Sequence, residues 1–432
     1  MRSDDRQAEQ ALPGASRPGV PRQEEEDEDD LGRTEAEREP AGRVRVGQED
    51  PEDDDGRQQE RASRQEDEVD PERRRPRPEP LAGDPQGVEP RDPGGKSLVE
   101  AVRSAPVSLP LPDRAFFREF RRLPKAELHL HLEGSIREAT FLRLAARQGA
   151  GTDLPGPHPF RSLRRPGSAS EFFRCYRTVC RLLSSPSDYA LLARDLVARL
   201  RRERIGYAEV YVSPAVVERV GLPWPPVRDA LEDVFAAHEG AGHGRVAVLL
   251  DSVRQWGPEA AERVLDLQRR HPWARARGFG LGGEELSVPA REFRRVYARA
   301  RGMGLGTVVH AGEWGGADSV AEAVRWLAPV RVAHGFRAAD DPALVRLLAR
   351  GGVTLDVCPT SNLRTGALPP GVPHPALTLA RAGVRVSVGT DDPGLFGTTL
   401  RAEFARLARQ GATDAELRAL LRTGRAAALP PA

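Results

Sequence analysis

From about residue 116 onward, two patterns of apolar and polar positions alternate along the chain. Short apolar runs typical of buried strands are separated by stretches with apolar residues at i, i+3 and i+4, the spacing of an amphipathic helix. The predicted strands are 126–133, 207–214, 245–252, 278–283, 306–313, 331–336, 354–361 and 385–393. The clearest helical stretches are 188–204, 258–270, 290–301 and 342–350. This alternation predicts an α/β fold, a (β/α)8 TIM barrel with extra helices after the first strand.

The first hundred residues follow a different pattern. Residues 1–100 hold 17 Lys and Arg against 30 Asp and Glu, and the first aromatic residue is Phe116. Such a segment cannot bury enough apolar surface to offset the entropy lost on ordering. We therefore expect residues 1–105 to be a disordered, charged, low-complexity arm and residues 106–432 to form the barrel domain. Its acidic run 24–30 is interpreted as solvated tail, with a partner-docking arm as the alternative.

Composition restricts the classes of function. The whole chain carries a net charge of +1, so the residues after the acidic arm must carry a net positive charge. The arginines of that part are scattered over predicted helices without interleaved aromatic residues. We interpret them as solvated helix faces and predict no nucleic-acid partner. Three scattered cysteines give no disulfide framework, and neither a 20-residue apolar run nor a signal sequence is present. These features predict a cytoplasmic protein without membrane contact and leave its oligomeric state open.

The first predicted strand carries alternating histidines. His129, His131 and Glu133 are spaced by two, so on a strand they share one face, which we expect to be the barrel interior. Two adjacent imidazoles are costly to bury unless something binds them, and a metal ion is the usual reason. Alone, this pair is weak evidence, because buried histidines with ordinary polar partners are common.

Further polar residues end three more predicted strands. His310 and Glu313 end the fifth strand and His334 ends the sixth. The adjacent Asp391 and Asp392 end the eighth. Active sites of such barrels are built at the carboxyl ends of the strands, where two neighbouring carboxylates repel each other unless a cation or hydrogen bonds relieve them. One Zn²⁺ per chain, with His and Asp ligands and an open position for water, meets that demand.

The same residues predict a hydrolytic reaction. Zn²⁺ lowers the pKa of a bound water to about 7. His334 or the ligand Asp391 is placed to deprotonate that water, and a Glu313 carboxylic acid is placed to donate a proton to a ring nitrogen. Hydroxide attack at an electron-poor ring carbon then gives a tetrahedral centre from which ammonia leaves.

A Gly-rich stretch at 278–284 ends the fourth predicted strand. No Lys-Ser or Lys-Thr pair follows it, so it is not a phosphate-binding loop. It is either a strand end that a flat ligand approaches closely or a tight turn.

Together and in this order, these residues resemble the adenosine/adenine/AMP deaminase family of amidohydrolase-like barrels. The resemblance covers residues 124–429. Its markers are Pro-Lys-Ala-Glu-Leu-His-Leu-His-Leu-Glu-Gly-Ser at 124–135, His-Ala-Gly-Glu at 310–313, Ala-His-Gly at 333–335, Cys-Pro-Thr-Ser-Asn at 358–362, Thr-Asp-Asp-Pro at 390–393 and Phe-Gly-Thr-Thr at 396–399. Each marker is modest alone, but the ordered set is highly specific.

The resemblance implies a role for each site residue. The implied zinc ligands are His129, His131, His310 and Asp391, with His131 also on the substrate side. The implied proton donor to purine N1 is Glu313, and His334 is implied to position the attacking hydroxide. The implied substrate contacts are Asp392 at N7, the Gly283 backbone at N3, and Glu133 at the ribose or its equivalent. The implied reaction is deamination of adenosine or deoxyadenosine to the inosine product and ammonia.

Two features bear on the substrate. Glu133 stands where animal-type adenosine deaminases typically have Asp, whereas Glu occurs in bacterial adenine deaminases and in enzymes acting on aminodeoxyfutalosine. The N9 substituent is therefore open: adenosine is favoured, with aminodeoxyfutalosine and adenine as alternatives. In the long insert between the first two predicted strands, Phe172, Phe173 and Tyr176 either line the wall of the pocket or form the core of a short helix.

Other classes of protein fit the sequence less well. A phosphotriesterase-like hydrolase needs a bridging Lys or carboxylate for a second metal, and Lys125 precedes the first strand rather than ending one. A non-catalytic nucleoside-binding protein would lack zinc or hold Glu313 away from the ligand. Zinc deaminases acting on cytosine carry a Pro-Cys-x-x-Cys motif, which this chain does not contain.

Overall fold

A computed structural model describes residues 114–149, 158–165 and 167–430. The arm expected at residues 1–105 lies outside the described residues, and its disorder stays a prediction. The strands are β1 Ala126–His131, β2 Tyr207–Val212, β3 Arg245–Val253, β4 Ala276–Gly282, β5 Gly306–Ala311, β6 Arg331–His334, β7 Thr354–Val357 and β8 Arg385–Val388. Each strand lies parallel to the next in chain order.

The sheet closes on itself just beyond β8. Leu130 of β1 pairs in parallel with Asp391. The Asp391 N–H donates to the His129 carbonyl and the His131 N–H donates to the Asp391 carbonyl, both at 3.0 Å. The eight-stranded parallel barrel predicted from the sequence is therefore confirmed.

Helices follow the strands around the barrel. They are α1 Ala115–Glu119, α2 Glu138–Arg147, α3 Pro159–Ser162, α4 Ala169–Arg181, α5 Pro186–Glu203, α6 Pro214–Arg219, α7 Trp224–Gly240, α8 Gly257–Arg270, α9 Arg294–Gly302, α10 Ala317–Leu327, α11 Pro342–Gly351, α12 Pro359–Arg364, α13 Ala376–Arg381, α14 Pro393–Phe396, α15 Leu400–Arg409 and α16 Asp414–Ala426. The extra helices predicted after the first strand are α2 to α5. Among the described residues, no helix is both long and apolar enough to cross a membrane.

Several strands end earlier than the apolar pattern predicts. The prediction is wrong beyond residue 357 in the seventh strand, because Pro359–Arg364 is helical. His334 and Asp391 have φ values of +61° and +64°, and a residue in this left-handed region cannot continue a strand. Glu133 lies in a single 3-10 turn, Glu133–Ser135, so placing it on the face of β1 was wrong. The chain turns out of the sheet where the predicted site residues begin.

Apolar side chains fill the space between the barrel and its helices, but charged residues lie inside the barrel. Arg331, 1% exposed, donates to Asp356 at 2.7 Å and also contacts Glu209. Ser387 donates to the other oxygen of Asp356. This network joins β2, β6, β7 and β8 and compensates the desolvation of its charges, because each is paired.

Candidate active site

Four side chains meet at the carboxyl ends of the strands. They come from His129 on β1, His310 on β5, His334 on β6 and Asp391 beyond β8, and all are buried. One ligand atom from each lies within 4.8 Å of the others, close enough to share one metal ion. His129 Nε2 lies 3.2 Å from Asp391 Oδ1. The barrel therefore brings together residues that are far apart in sequence, as the strand-end pattern predicted.

His131 approaches the same carboxylate from the side. Its Nε2 lies 3.3 Å from Asp391 Oδ1, and its ring stacks on Tyr211 with centroids 4.6 Å apart. Two candidate ligand sets therefore share His129, His310 and Asp391. The tight cluster adds His334 as its fourth member, whereas the sequence analysis added His131.

The electrostatics of the cluster suit a divalent cation. Burial, followed by the neighbouring imidazoles, holds the pKa of His310 well below its usual value. Burial likewise lowers the pKa of His131 to about 4. Neutral imidazole is the form that binds metal. Neither ring nitrogen of His129 has a hydrogen-bond partner among the described residues, although Nε2 faces Asp391 Oδ1, and this is costly in a buried ring unless a cation accepts a lone pair. This nitrogen and carboxylate donor set fits zinc.

Asp391 is held in place by α12. Ser361 Oγ donates to Asp391 Oδ2 at 2.6 Å, while Oδ1 faces the histidines. Such a hydrogen bond fixes the orientation of a ligating carboxylate. Ser361 belongs to a sequence marker, but only the structure shows which side chain it contacts.

Glu313 lies beside the cluster, where a proton donor was predicted. Its Oε2 is 3.3 Å from His334 Nε2, and Thr365 Oγ1 donates to its Oε1 at 3.3 Å. Burial, together with the nearby carboxylates of Asp391 and Glu285, raises the pKa of Glu313 well above its usual value. A raised pKa favours the protonated form of this carboxyl group, which is the form able to donate a hydrogen.

The loop that carries Glu313 is anchored by a residue that the sequence analysis missed. The backbone N–H groups of four successive residues, 312–315, all donate to the Glu285 carboxylate. Ser319 Oγ in the first turn of α10 donates to it as well. Backbone amides converging on one carboxylate form an anion-binding nest. The sequence does not show this role, because Glu285 follows β4 whereas the N–H groups that donate to it follow β5.

Unpaired oxygens face the other side of the site. Both carboxyl oxygens of Asp392, and Oε1 of Glu133, are buried and have no hydrogen-bond partner in the part of the chain that the structure describes. Burial, followed by Asp391 and Glu133, raises the pKa of Asp392 well above its usual value. A Cβ placed on Gly134 would lie 1.6 Å from Asp392 Oδ1, so this approach requires glycine. Buried polar atoms without partners call for a ligand or water to bind them.

Helix α4 reaches the site from the insert. Tyr176 donates its hydroxyl hydrogen to Glu133 Oε2 at 2.9 Å. Phe173 packs on Trp314 with ring centroids 5.4 Å apart. Phe172, by contrast, is buried in the core and stacks on Phe396. The sequence analysis left two interpretations of these aromatic residues, pocket wall or helix core. Each is correct for part of the group, since Tyr176 lines the site and Phe172 belongs to the core.

Gly283 directly follows β4 and turns the chain at a φ of +95°. A Cβ there would lie 2.4 Å from Gln255 Oε1, so a side chain would be both strained and crowded. The tight-turn interpretation of the Gly-rich stretch therefore holds at this residue. Its contact with a ligand stays a prediction.

Fold and site together define a class. A closed parallel barrel with a buried His and Asp cluster and a buried carboxyl group of raised pKa at the carboxyl ends of its strands has the parts of a metal-dependent hydrolase. The sequence profile of the family described as adenosine deaminase matches residues 124–432. The chain belongs to this adenosine deaminase family and is an enzyme of its type, a deaminase that hydrolyses C–N bonds.

Individual relatives agree with this assignment. The chain is 38% identical over 299 residues to aminodeoxyfutalosine deaminase of Acidothermus cellulolyticus, covering 67% of this chain and 83% of the relative. It is 36% identical over 314 residues to adenine deaminase of Sinorhizobium medicae, covering 71% and 94%. A crystal structure of an amidohydrolase from Burkholderia ambifaria with bound Zn is similar, with a TM-score of 0.68, 25% identity and coverage of 76% and 91%.

Proposed function

We propose that this enzyme removes the 6-amino group of a purine by hydrolysis, with adenosine and deoxyadenosine as its first candidate substrates. The observation that carries the proposal is the position of Glu313, a buried carboxyl group 3.3 Å from His334 beside the metal cluster. An acid in that position protonates a ring nitrogen while a nucleophile adds to the neighbouring carbon.

We propose Zn²⁺ as the metal, one per chain. The predicted ligands are His129, His131, His310 and Asp391, and the zinc-containing relative supports this choice. A zinc ion held there supplies Lewis acidity that lowers the pKa of water to about 7. The protein supplies the geometry, because burial holds the pKa of His310 well below its usual value and Ser361 fixes Asp391.

The protein's own groups complete the reaction. Glu313 gives its proton to N1 as the oxygen of water bonds to C6. Asp391 takes one proton of that water and passes it to the amino group, which leaves as ammonia. The remaining hydroxyl proton returns to Glu313 as C6 becomes a carbonyl. Asp392, whose pKa burial raises well above its usual value, donates to N7, which has a lone pair and no proton. His334 directs the attacking oxygen.

The N9 side of the site is lined by Glu133. Its Oε1 has no partner in the described part of the chain and accepts a hydrogen bond from the substrate, while Oε2 is held by Tyr176. A sugar hydroxyl of adenosine supplies such a donor, and so does N9–H of adenine. The names of the relatives above keep aminodeoxyfutalosine and adenine as the alternatives.

Parallel assays test the reaction and the substrate together. Purified enzyme with zinc is offered adenosine, deoxyadenosine, adenine and aminodeoxyfutalosine, and ammonia release is measured. We expect turnover of at least one, and a loss of roughly 10³-fold in kcat for Glu313→Gln, which keeps the shape and removes the acid. Glu284→Gln, at an exposed position, is the matched control. Turnover of none of the four by zinc-bound enzyme contradicts the proposal.

A further inference from the structure

A buried chain of hydrogen bonds leads from helix α13 to the active site. It runs from the Ala376 N–H through His374 and Asn362 to His334. We infer that this chain fixes His334 as the tautomer with its proton on Nε2, which makes His374 and Asn362 positioning residues. The catalytic meaning of this inference rests on the proposed function, but the tautomer itself does not.

The first link sets the direction of every later one. The Ala376 N–H is a backbone group that can only donate, and it lies 3.2 Å from His374 Nδ1. His374 Nδ1 must therefore accept, and its hydrogen must be on Nε2. Burial agrees with this neutral ring, because it lowers the pKa of His374 to about 3.

The next two links carry the direction to the active site. His374 Nε2–H lies 3.0 Å from the Asn362 side-chain oxygen, which accepts. The Asn362 NH₂ group then faces His334 Nδ1 at 3.0 Å and donates to it. An amide flipped the other way would place two donors against each other at the His374 link. His334 Nδ1 is therefore an acceptor, and the hydrogen of this imidazole is on Nε2.

His310 shows the opposite arrangement. Its Nδ1 lies 3.1 Å from the Leu281 carbonyl, a group that can only accept. His310 therefore carries its hydrogen on Nδ1 and presents a bare Nε2, the form that ligates a metal. His334 presents Nε2–H and cannot ligate through that nitrogen. The backbone thus distinguishes the two histidines and favours His131 as the fourth ligand.

A protonated Nε2 suits the role of His334 in the reaction. This nitrogen lies 3.3 Å from Glu313 Oε2 and 3.8 Å from Asp391 Oδ2, so it faces the space between the acid and the cluster. There it donates a hydrogen bond to the attacking oxygen and directs a lone pair of that oxygen towards C6. With a bare Nε2, the same ring would lose this donor and compete for the metal.

Nitrogen NMR of the zinc-bound full-length enzyme, labelled with ¹⁵N-histidine, tests the tautomer directly. Protonated and bare imidazole nitrogens have well-separated ¹⁵N shifts, and the His334→Gln variant identifies the His334 signals. We expect a protonated Nε2 and a bare Nδ1 at His334, whereas His310 should have a protonated Nδ1 and an unprotonated Nε2 that binds the zinc. A His334 ring protonated at Nδ1 overturns the inference, whether or not any 6-aminopurine is turned over.

The Asn362→Asp variant tests the consequence. A carboxylate of the same shape can only accept, so it draws the hydrogen of His334 to Nδ1. We expect that change in the ¹⁵N spectrum and a fall in kcat of about 10²- to 10⁴-fold, as expected for a lost oriented donor or a wrong tautomer, with one zinc still bound. Gln410→Glu makes the same amide-to-acid change at the end of α15 and should keep wild-type kcat. An Asn362→Asp enzyme with wild-type kcat also overturns the inference.

Discussion

Gly134 lies in the turn after β1, where its missing side chain makes room for the Asp392 carboxyl group. Replacing it with Ala would place a methyl group 1.6 Å from Asp392 Oδ1, so that Asp392 must move. A displacement of about 1 Å in a group that orients substrate costs on the order of 10²-fold in rate. We expect Gly134→Ala to lower kcat/KM by that factor in steady-state assays on the substrate identified above.

The matched control is Gly240→Ala in the last turn of α7, where no atom lies within 4 Å of the added methyl group. This variant should keep wild-type kinetics. If both variants behave alike, the close approach of Gly134 to Asp392 has no role in substrate binding.

Single residues were predictable from the sequence where strand geometry determines their direction. The two-residue spacing of His129 and His131 predicted that both rings share one face, and both lie near Asp391. The support of Asn362 by His374 was not predictable, because a loop of unknown path separates them and no periodicity records which side chains will meet.

At the scale of elements, the loop between β5 and α10 depends on Glu285. Its carboxylate accepts from four successive backbone N–H groups and lies at the N-terminus of α10, where negative charge is favoured. We expect Glu285→Gln to lower kcat about 10²-fold with a smaller change in KM, because the loop positions Glu313. Faster amide hydrogen exchange at residues 312–315 should accompany the loss.

Glu284→Gln makes the same change one residue earlier at an exposed position and should alter neither exchange nor kcat. Unchanged exchange at residues 312–315 in Glu285→Gln would show that the carboxylate does not hold the loop.

Helix α16 begins with a capping box that gives a pH-dependent stability. Glu416 accepts hydrogen bonds from Arg381 and from the Thr413 backbone, and these contacts lower its pKa to about 2. A depressed carboxyl pKa stabilises the fold above the unfolded value near 4.5, and this stability is lost as pH falls towards 2. We expect Glu416→Gln to lower the free energy of unfolding at pH 7 by about 0.5–1 kcal/mol, a small effect because the pair is partly exposed.

Urea unfolding at pH 7, 5 and 3 measures this difference. The gap between wild type and variant should shrink below about pH 4.5. Glu218→Gln, an exposed carboxylate at the end of α6, should show no such trend. A gap that is constant with pH would mean that the charge of Glu416 contributes nothing.

The number and order of the strands were predictable, whereas their ends were not. Apolar periodicity marks where a chain is buried, so all eight strands were located. Apolar periodicity does not indicate whether a residue has a positive φ. His334 and Asp391 are in the left-handed region, and they end their segments inside apolar stretches. The paired charges of Arg331, Glu209 and Asp356 were missed for a related reason, since their partners come from three different strands.

At the scale of the whole molecule, the His and Asp cluster links metal binding to the stability of the barrel. Its members come from β1, β5, β6 and the segment after β8, so an ion bound there connects the first strand of the sheet with the segment that follows the last strand. A ligand that binds only the folded state stabilises it by RT ln(1 + [L]/Kd), where [L] is the free ligand concentration. We expect a strong chelator to lower the Tm by roughly 5 °C or more and added zinc to restore it.

The His310→Asn variant is the control, because the chelator should leave its already lowered Tm unchanged. Equal chelator sensitivity in the variant and the wild type would place the metal elsewhere in the protein.

Barrel closure also sets when the site is able to form during synthesis. Thr390 donates to Glu127 across 263 positions of sequence, and the neighbouring backbone groups of Asp391 and His129 are bonded to each other. A ribosome adds roughly 5–20 residues per second, so β1 waits on the order of ten seconds or longer for its last neighbour. Until residue 391 has been added, His129 and His131 lack the carboxylate of Asp391. A metal site that uses both His129 and Asp391 is therefore complete only late in synthesis, once the barrel has closed.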